Sequence, residues 1–182
     1  LRFWFEVADS TIGRQIATAE QAQESHYRWF PCSKGGTFRK WWGNYDYVLD
    51  WEDDGRSIRN YKDSNGKLLS RPQNIQYFYG GGITWSTITI SHLSMRYLPR
   101  GFVFESTGSI CPVADEDDVY LLLAFLNSAV INKIIPAISP TLNYGEGSIG
   151  KLPFLKPPSN VTQFAEAAVG LARADWDNFE TS

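Results

Sequence analysis

Short apolar runs separated by turn residues fill the first two thirds of the chain. Residues 83–90 (ITWSTITI) alternate β-branched or aromatic residues with Ser and Thr, which predicts a strand with Trp85 in the core. Residues 45–51 (YDYVLDW) predict another strand, closed by a turn at residues 52–55. The remaining runs that predict short strands are residues 1–7, 26–30, 38–42, 75–79, 102–105 and 109–113.

The pattern becomes helical after residue 114. Asp115 is a candidate N-cap, and the three acidic residues after it suit the positive end of a helix dipole. The following residues are apolar on most faces until Pro136, which is expected to end the helix. A helix over residues 116–135 is therefore predicted, buried against a sheet.

A second helix is predicted from about residue 161 to residue 175, because Asn160 and Gln163 form a capping-box pattern. Together the patterns predict an α+β fold, in which a mixed, largely antiparallel β-sheet body precedes two C-terminal helices. We expect a β-rich domain over residues 1–155 and a C-terminal helical segment over residues 156–182. The chain starts with Leu rather than Met, which suggests a piece of a larger protein.

Charge is distributed unevenly along the chain. The net charge of −3 disfavours nucleic-acid binding, because domains that bind nucleic acids are usually basic. However, residues 34–100 carry ten Lys and Arg against six Asp and Glu, whereas residues 101–182 carry four against ten. The basic middle part therefore keeps nucleic acid as a candidate partner.

Residues 29–51 combine cations, aromatic rings and a glycine turn, and they contain four of the seven Trp. Cations neutralise phosphates, rings stack on bases, and glycines let backbone N–H groups approach an anion. The alternative is an ordinary solvated basic face, with Trp41 or Trp42 in the core. The candidate DNA-binding residues of this stretch are Lys34, Gly35, Gly36, Arg39, Lys40 and Asn44.

A second group of candidates carries side chains that can read base edges: Arg71, Gln73, Asn74 and Arg96. Arg can bind guanine O6 and N7 with two hydrogen bonds, and Asn or Gln can do the same for adenine N6 and N7. We expect residues 34–40 to contact phosphates. Specificity is expected from residues 56–74 and from a loop around Arg96.

Catalytic and metal-binding patterns are missing from the sequence. His26 and His92 lack metal-ligand spacing, and Cys32 and Cys111 are too few for a disulfide framework. No nucleophile motif, phosphate-binding glycine motif or signal peptide is found. The longest apolar run, residues 119–126, is far shorter than the ~20 residues of a membrane span. We therefore expect no catalytic residue, no metal site, no membrane contact and a cytoplasmic location.

Several motifs, in order, resemble one family. Residues 34–55 (KGGTFRKWWGNYDYVLDWEDDG) and 71–86 (RPQNIQYFYGGGITWS) are similar to the C-terminal specificity region of PglX-type adenine-specific DNA methyltransferases. These enzymes belong to BREX phage-defence systems and are related to type I and single-chain restriction–modification enzymes. The remaining matching motifs are LLAFLNSAV at 122–130, SPTLNYGEGSIGKLPF at 139–154 and DWDNFETS at 175–182.

The resemblance implies a target recognition domain that binds double-stranded DNA and works with the N-terminal methyltransferase domain of the same parent chain. In such proteins the catalytic domain binds S-adenosylmethionine, carries an Asn-Pro-Pro-Tyr type motif, and methylates N6 of a flipped adenine. That motif is absent here, since the only Pro-Pro pair is followed by Ser159. The resemblance therefore implies no cofactor and no catalysis in this chain itself.

Two other classes of protein remain as alternatives. The seven Trp and nine Tyr could form stacking platforms of a carbohydrate-binding module, although Lys and Arg lie among them. A free-standing enzyme such as a hydrolase would need a nucleophile or a metal constellation, and the sequence offers neither.

Overall fold

The computed structural model of the chain describes residues 1–158 and 160–179, whose strands form two small sheets. The strands are β1 (Arg2–Phe3), β2 (Trp29–Ser33), β3 (Tyr47–Asp50), β4 (Gly82–Ser86), β5 (Met95–Leu98), β6 (Val103–Phe104) and β7 (Gly108–Pro112). The first sheet has the order β1-β3-β2-β6, and its pairs are antiparallel except for β2 with β6. The second sheet has the order β5-β4-β7 and is antiparallel.

Helices surround these sheets and are concentrated in the C-terminal third of the described chain. They are α1 (Ala19–Glu24), α2 (Glu52–Arg59), α3 (Glu116–Leu126), α4 (Ala129–Ile138), α5 (Glu146–Ile149) and α6 (Val161–Trp176), with 3₁₀ turns at Trp4–Glu6, Asp9–Thr11 and Ile75–Tyr77. Helix α3 packs against β4, β5 and α6. The α+β class with largely antiparallel sheets is confirmed.

Two apolar cores lie in the molecule, one beside each sheet. The larger core joins the second sheet to α3 and α4, and Trp85, Leu123 and Ile131 are buried in it. The smaller core joins the first sheet to the segment that follows the 3₁₀ turn Ile75–Tyr77. Trp51 and Phe78 are buried in it. The core position predicted for Trp85 is confirmed, and its indole Nε1 donates to the Tyr144 carbonyl at 2.6 Å.

The strands predicted over residues 83–90 and 45–51 are confirmed in part. Strand β4 covers residues 82–86 and β3 covers residues 47–50, whereas residues 87–90 form no strand. The prediction of a buried strand over residues 1–7 was wrong, because β1 has two residues and both are exposed. Residues 75–79 begin with a 3₁₀ turn instead of a strand. Residues 38–42 form no strand, and only Trp41 makes a parallel bridge, with Arg96.

The single helix predicted over residues 116–135 is in fact two helices that meet at an angle of 71°. Asn127 ends α3 because its amide bonds the backbone of Met95 on the edge strand, accepting from N at 2.9 Å and donating to O at 3.0 Å. Ser128 then caps α4 by accepting from Ile131 N at 3.3 Å. Pro136 lies inside α4 and does not end it. Buried Ile131 and Ile135 hold α4 against the larger core.

The second predicted helix is α6, which begins after Asn160 and extends to Trp176. It packs along α3. A boundary at residue 155 stays a prediction. The motif at residues 175–182 ends in Glu180, Thr181 and Ser182, which lie outside the described residues, as does Ser159 in the segment after the boundary.

Candidate nucleic-acid interface

Lys34 follows β2 directly and is partly buried. Its ammonium lies 4.6 Å from the centroid of the Tyr47 ring, where the electron-rich face attracts a cation. Lys34 is therefore held against the first sheet, with part of its surface still open to solvent.

The glycine pair Gly35 and Gly36 packs against the second sheet. Gly36 N donates to Ser86 Oγ at 2.9 Å, and a Cβ atom on Gly35 would lie 2.5 Å from the Thr107 carbonyl oxygen. Glycine is needed at residue 35 because the loop closely approaches the backbone of the turn between β6 and β7. The expectation that this pair offers N–H groups to an anion is corrected for Gly36, whose N–H is already donated within the chain.

Arg39 and Lys40 both contact the C-terminal helices. Arg39 Nη1 lies 3.4 Å from Asp175 Oδ2, and its guanidinium lies 4.8 Å from the Trp176 ring centroid. Lys40 Nζ donates to the Asn127 carbonyl at 3.2 Å, at the C-terminal end of α3, where a cation is favourable. These two cations connect the glycine loop to α3 and α6.

Asn44 closes the same loop from inside. It is buried, adopts a left-handed backbone with φ of 63°, and donates from Nδ2 to the Thr37 carbonyl at 2.9 Å. Asn tolerates this conformation better than most residues. Asn44 therefore stabilises the loop and, being buried, does not present its amide to solvent.

Arg96 requires a correction. It was expected in an exposed loop, but it lies in β5 opposite Thr84 and its exposed fraction is 0%. Burial lowers the pKa of its guanidinium. Among the described residues none accepts a hydrogen bond from its Nε, Nη1 or Nη2 atoms. In this position Arg96 cannot reach a base.

Arg71, Gln73 and Asn74 are brought together at the rim of one cleft, and all three are exposed. The cleft has a volume of about 690 Å³. Its apolar lining includes Trp51 and Phe78 of the smaller core. The cleft is thus the place where the predicted base-reading residues meet.

The rim segment is held in place by local geometry. Asn74 has a φ of 56° and starts the 3₁₀ turn Ile75–Tyr77, after which Phe78 and Tyr79 enter the smaller core. Gln73 Nε2 donates to the Arg71 carbonyl at 3.2 Å. Buried aromatic residues therefore anchor one end of a segment whose polar side chains remain exposed.

The opposite wall of the cleft comes from residues 104–112 and from α5, and it is acidic. Ser109 Oγ donates to Glu146 Oε1 at 2.6 Å and shares a 2.8 Å hydrogen bond with Thr87 Oγ1. Glu105 accepts from Thr107 N at 3.2 Å. Sequence reasoning missed both carboxylates because they lie outside the basic part of the chain. The only available signal for Glu146 was its place in the motif at residues 139–154.

Exposed cations precede the rim along the chain. Arg56, Lys62 and Lys67 are exposed. Arg56 pairs with Asp53 at 3.1 Å and Arg59 with Asp54 at 2.7 Å. Exposed pairs contribute little to stability, so Arg56 remains free to exchange partners, whereas Arg59 is partly buried and lies over the Trp51 ring. The segment from residue 56 to residue 74 therefore presents positive charge beside the cleft.

Other kinds of site find little support in the described residues. No group of three or more His, Cys, Asp or Glu side chains there could hold a metal ion. Burial raises the pKa of the Cys32 thiol to about 12, which makes it a poor nucleophile. All seven Trp are described, and each is buried or partly buried, which gives little support to a carbohydrate-binding module.

Helices α3 and α4 are apolar but short, with 11 and 10 residues. No single helix among the described residues is long and apolar enough to cross a membrane, while the bent pair α3 and α4 would match a span in length and composition only.

Comparison with known proteins identifies the class. No protein-family model matches the chain. The whole chain is nevertheless similar to a segment of adenine-specific methyltransferases, and the resemblance predicted from the motifs is confirmed. It is 37% identical over 184 aligned residues to the adenine-specific methyltransferase BrxX of Escherichia coli O9:H4 (strain HS), and 36% identical to the adenine-specific methyltransferase PglX of Lacticaseibacillus casei (strain Zhang). The chain covers 14% and 15% of the lengths of these two curated relatives.

Proposed function

We propose that the chain is the DNA target-recognition segment of an S-adenosylmethionine-dependent enzyme that methylates adenine N6 in DNA. The observation that carries this proposal is the end-to-end similarity to two adenine-specific methyltransferases. Such an enzyme needs a part that selects the sequence as well as a part that performs the chemistry. By analogy with BREX systems, the role would be host DNA marking in phage defence, in the cytoplasm.

The cleft supports a recognition role through the chemistry of its rim. Arg71, Gln73 and Asn74 are exposed and adjacent, and guanidinium and amide groups are those that form paired hydrogen bonds with base edges. Lys62 and Lys67 precede them and are exposed, so they can neutralise phosphates while the rim contacts bases.

We place the methyl-transfer chemistry outside this chain. The sequence has no Asn-Pro-Pro-Tyr type motif, and its cleft combines two carboxylates with an apolar floor. In this proposal the N-terminal methyltransferase domain of the parent chain holds S-adenosylmethionine and the flipped adenine, and it is the partner of this segment. The contribution of the chain is to select and hold double-stranded DNA.

The first test is duplex binding by the chain and by an Arg71→Ala variant. We expect salt-dependent binding that Arg71→Ala weakens roughly 5- to 150-fold, because a paired contact to a base contributes about 1–3 kcal/mol. Fluorescence anisotropy with a labelled duplex library at several salt concentrations measures this effect. In the parent enzyme that carries Arg71→Ala, sequencing-based mapping of methylated adenines should show relaxed specificity at one base position of the recognition sequence.

Arg2→Ala is the matched control, since it removes the same charge from an exposed residue of β1. Strands β1 and β6 form opposite edges of the first sheet, and the cleft lies beside β6. Equal losses for the two variants would show that Arg71 acts only through net charge. Binding that does not weaken with added salt would contradict the proposed function itself.

A further inference from the structure

The acidic wall of the cleft contains Glu146, an exposed glutamate with only one carboxylate oxygen bonded among the described residues. Glu146 Oε1 is held by Ser109 Oγ at 2.6 Å, and Ser109 is held in turn by Thr87 at 2.8 Å. Within the described part of the chain, Glu146 Oε2 has no hydrogen bond and no ion pair. The carboxylate is therefore positioned through one oxygen while the other remains available as an acceptor.

Glu105 differs from Glu146 in this respect. Its Oε1 accepts from Thr107 N at 3.2 Å and its Oε2 accepts from Ser106 Oγ at 3.3 Å. Both of its oxygens are thus used to close the turn between β6 and β7. Of the two carboxylates in the cleft, Glu146 therefore has the oxygen with more free acceptor capacity.

The surroundings of Glu146 favour a neutral, planar ligand with a hydrogen-bond donor. Two carboxylates repel a phosphate on this side of the cleft, whereas a carboxylate oxygen is a strong acceptor for an amino group. The lining includes the half-exposed ring of Tyr77, whereas Trp51 and Phe78 are buried and contribute only apolar surface. Aromatic rings stack on the faces of nucleobases, and a volume of about 690 Å³ lies in the range of small-ligand sites.

The opposite rim complements such a ligand. Arg71, Gln73 and Asn74 can contact the remaining polar edge of a base, and the exposed Lys62 and Lys67 can hold the phosphate that follows it. The negative charge of a nucleotide would then lie at the cationic rim, and its amino group would lie at the acidic wall.

We propose that the cleft binds a single unstacked DNA base that bears an exocyclic amino group, adenine, cytosine or guanine, and that Glu146 Oε2 accepts a hydrogen bond from this amino group. The inference rests on the proposed function, because that function makes DNA the source of the base. It adds a base-binding site in this chain that is separate from the site of methyl transfer.

The test compares two ligands that differ at one group. Cytosine carries an amino group where uracil carries a carbonyl, so single-stranded oligodeoxycytidylate and oligodeoxyuridylate of equal length form a matched pair. We expect the wild-type chain to bind the cytidylate roughly 5- to 10-fold more tightly, as measured by fluorescence anisotropy. Equal affinities, or no binding of either oligonucleotide, would overturn the inference.

Glu146→Gln tests the role of the carboxylate. Gln can still accept from Ser109 through its carbonyl oxygen, but its amide nitrogen places donors where Oε2 was an acceptor. We expect this variant to lose or reverse the preference for cytidylate, because uracil O4 can accept from the amide. A retained preference would exclude Glu146 as the group that reads the base.

Glu24→Gln is the control for net charge, since Glu24 is an exposed glutamate at the end of α1. It should keep the wild-type preference, and losing it would show that charge alone causes the effect. Salt-dependent duplex binding without a cytidylate preference would overturn only this inference. A cytidylate preference without duplex binding would instead contradict the proposed function and leave the base site in place.

Discussion

Arg96 carries a buried charge for which the described part of the chain supplies no hydrogen-bond acceptor. Removing a guanidinium from water is costly, and a nearby carboxylate usually offsets that cost. Here burial lowers the pKa of Arg96, because the buried site disfavours the charged form of the guanidinium. We therefore expect an apolar side chain of similar length to give an equal or higher stability at this position.

Arg96→Met is expected to leave the free energy of unfolding unchanged or to raise it by up to about 3 kcal/mol. The Met side chain fills much of the same space without a charge. Urea unfolding at neutral pH, followed by Trp fluorescence, measures the change. Arg96→Lys is the matched control, since it keeps a buried charge and should be less stable than Arg96→Met. A loss above about 1 kcal/mol for Arg96→Met would show that Arg96 has a stabilising partner.

At the scale of elements, the loop between β2 and β3 acts as a connector between the sheets and the C-terminal helices. Arg39 joins this loop to α6, and Lys40 joins it to the end of α3. Partners 136 residues apart in the chain, Arg39 and Asp175, come within 3.4 Å. The cationic loop that suggested a surface for DNA is thus largely occupied by contacts within the chain.

Arg39→Ala should lower the free energy of unfolding by about 1 kcal/mol, since it removes a stacking contact to Trp176 and a weak ion pair. Lys133→Ala is the control, because Lys133 is an exposed cation on α4 and its loss should change stability by less than about 0.5 kcal/mol. Chemical denaturation of both variants makes the comparison. If the two variants lose the same free energy of unfolding, Arg39 does not contact α6 in solution and is available to bind DNA.

At the scale of the whole molecule, a buried thiol in the first sheet and two tyrosines in loops make stability depend on pH. Burial raises the pKa of Cys32 from 9.0 to about 12, and it also raises the pKa of Tyr45 and Tyr79 from 10.0. Between the unfolded and the folded pKa, the folded chain keeps a proton that the unfolded chain has lost. The unfolded state then binds fewer protons, so stability falls as pH rises.

We expect this loss to begin near pH 9, where Cys32 starts to ionise in the unfolded chain, and to steepen above pH 10 as the tyrosines follow. Urea midpoints at pH 7.5, 9 and 10.5 would measure it. The urea midpoint of Cys32→Ala should fall less steeply between pH 8.5 and 10 than that of the wild type, whatever the stability of the variant at pH 7.5. A midpoint that stays constant up to pH 10.5 would mean that these groups are not buried in solution.

Sequence patterns gave a good account of elements whose partners are close in the chain. The alternation around Trp85 and the acidic residues after Asp115 predicted β4 and the start of α3, because strand and helix periods and N-caps are local properties. The break at Asn127 was not predictable in this way. It depends on hydrogen bonds to Met95, which lies 32 residues earlier.

The candidate site was predicted only in part for the same reason. Arg71, Gln73 and Asn74 were recognised by residue type, and the structure places them together. Glu146 was missed, since nothing local distinguishes a carboxylate that faces a cleft from one on an ordinary surface. Arg96 was misplaced because the sequence does not show that its strand is covered on that side.

The sequence by itself determined the α+β class, the helix and strand periods and the ordered motifs that relate the chain to adenine-specific methyltransferases, because each is written in residue types and short spacings. Only the tertiary structure decided which cations remain available. In the folded chain, Arg39 and Lys40 contact the helices and Arg96 is buried. Arg71 remains exposed and lines the same cleft as Glu146. The physical reason is that burial and electrostatic pairing depend on distances in space between residues far apart in the chain.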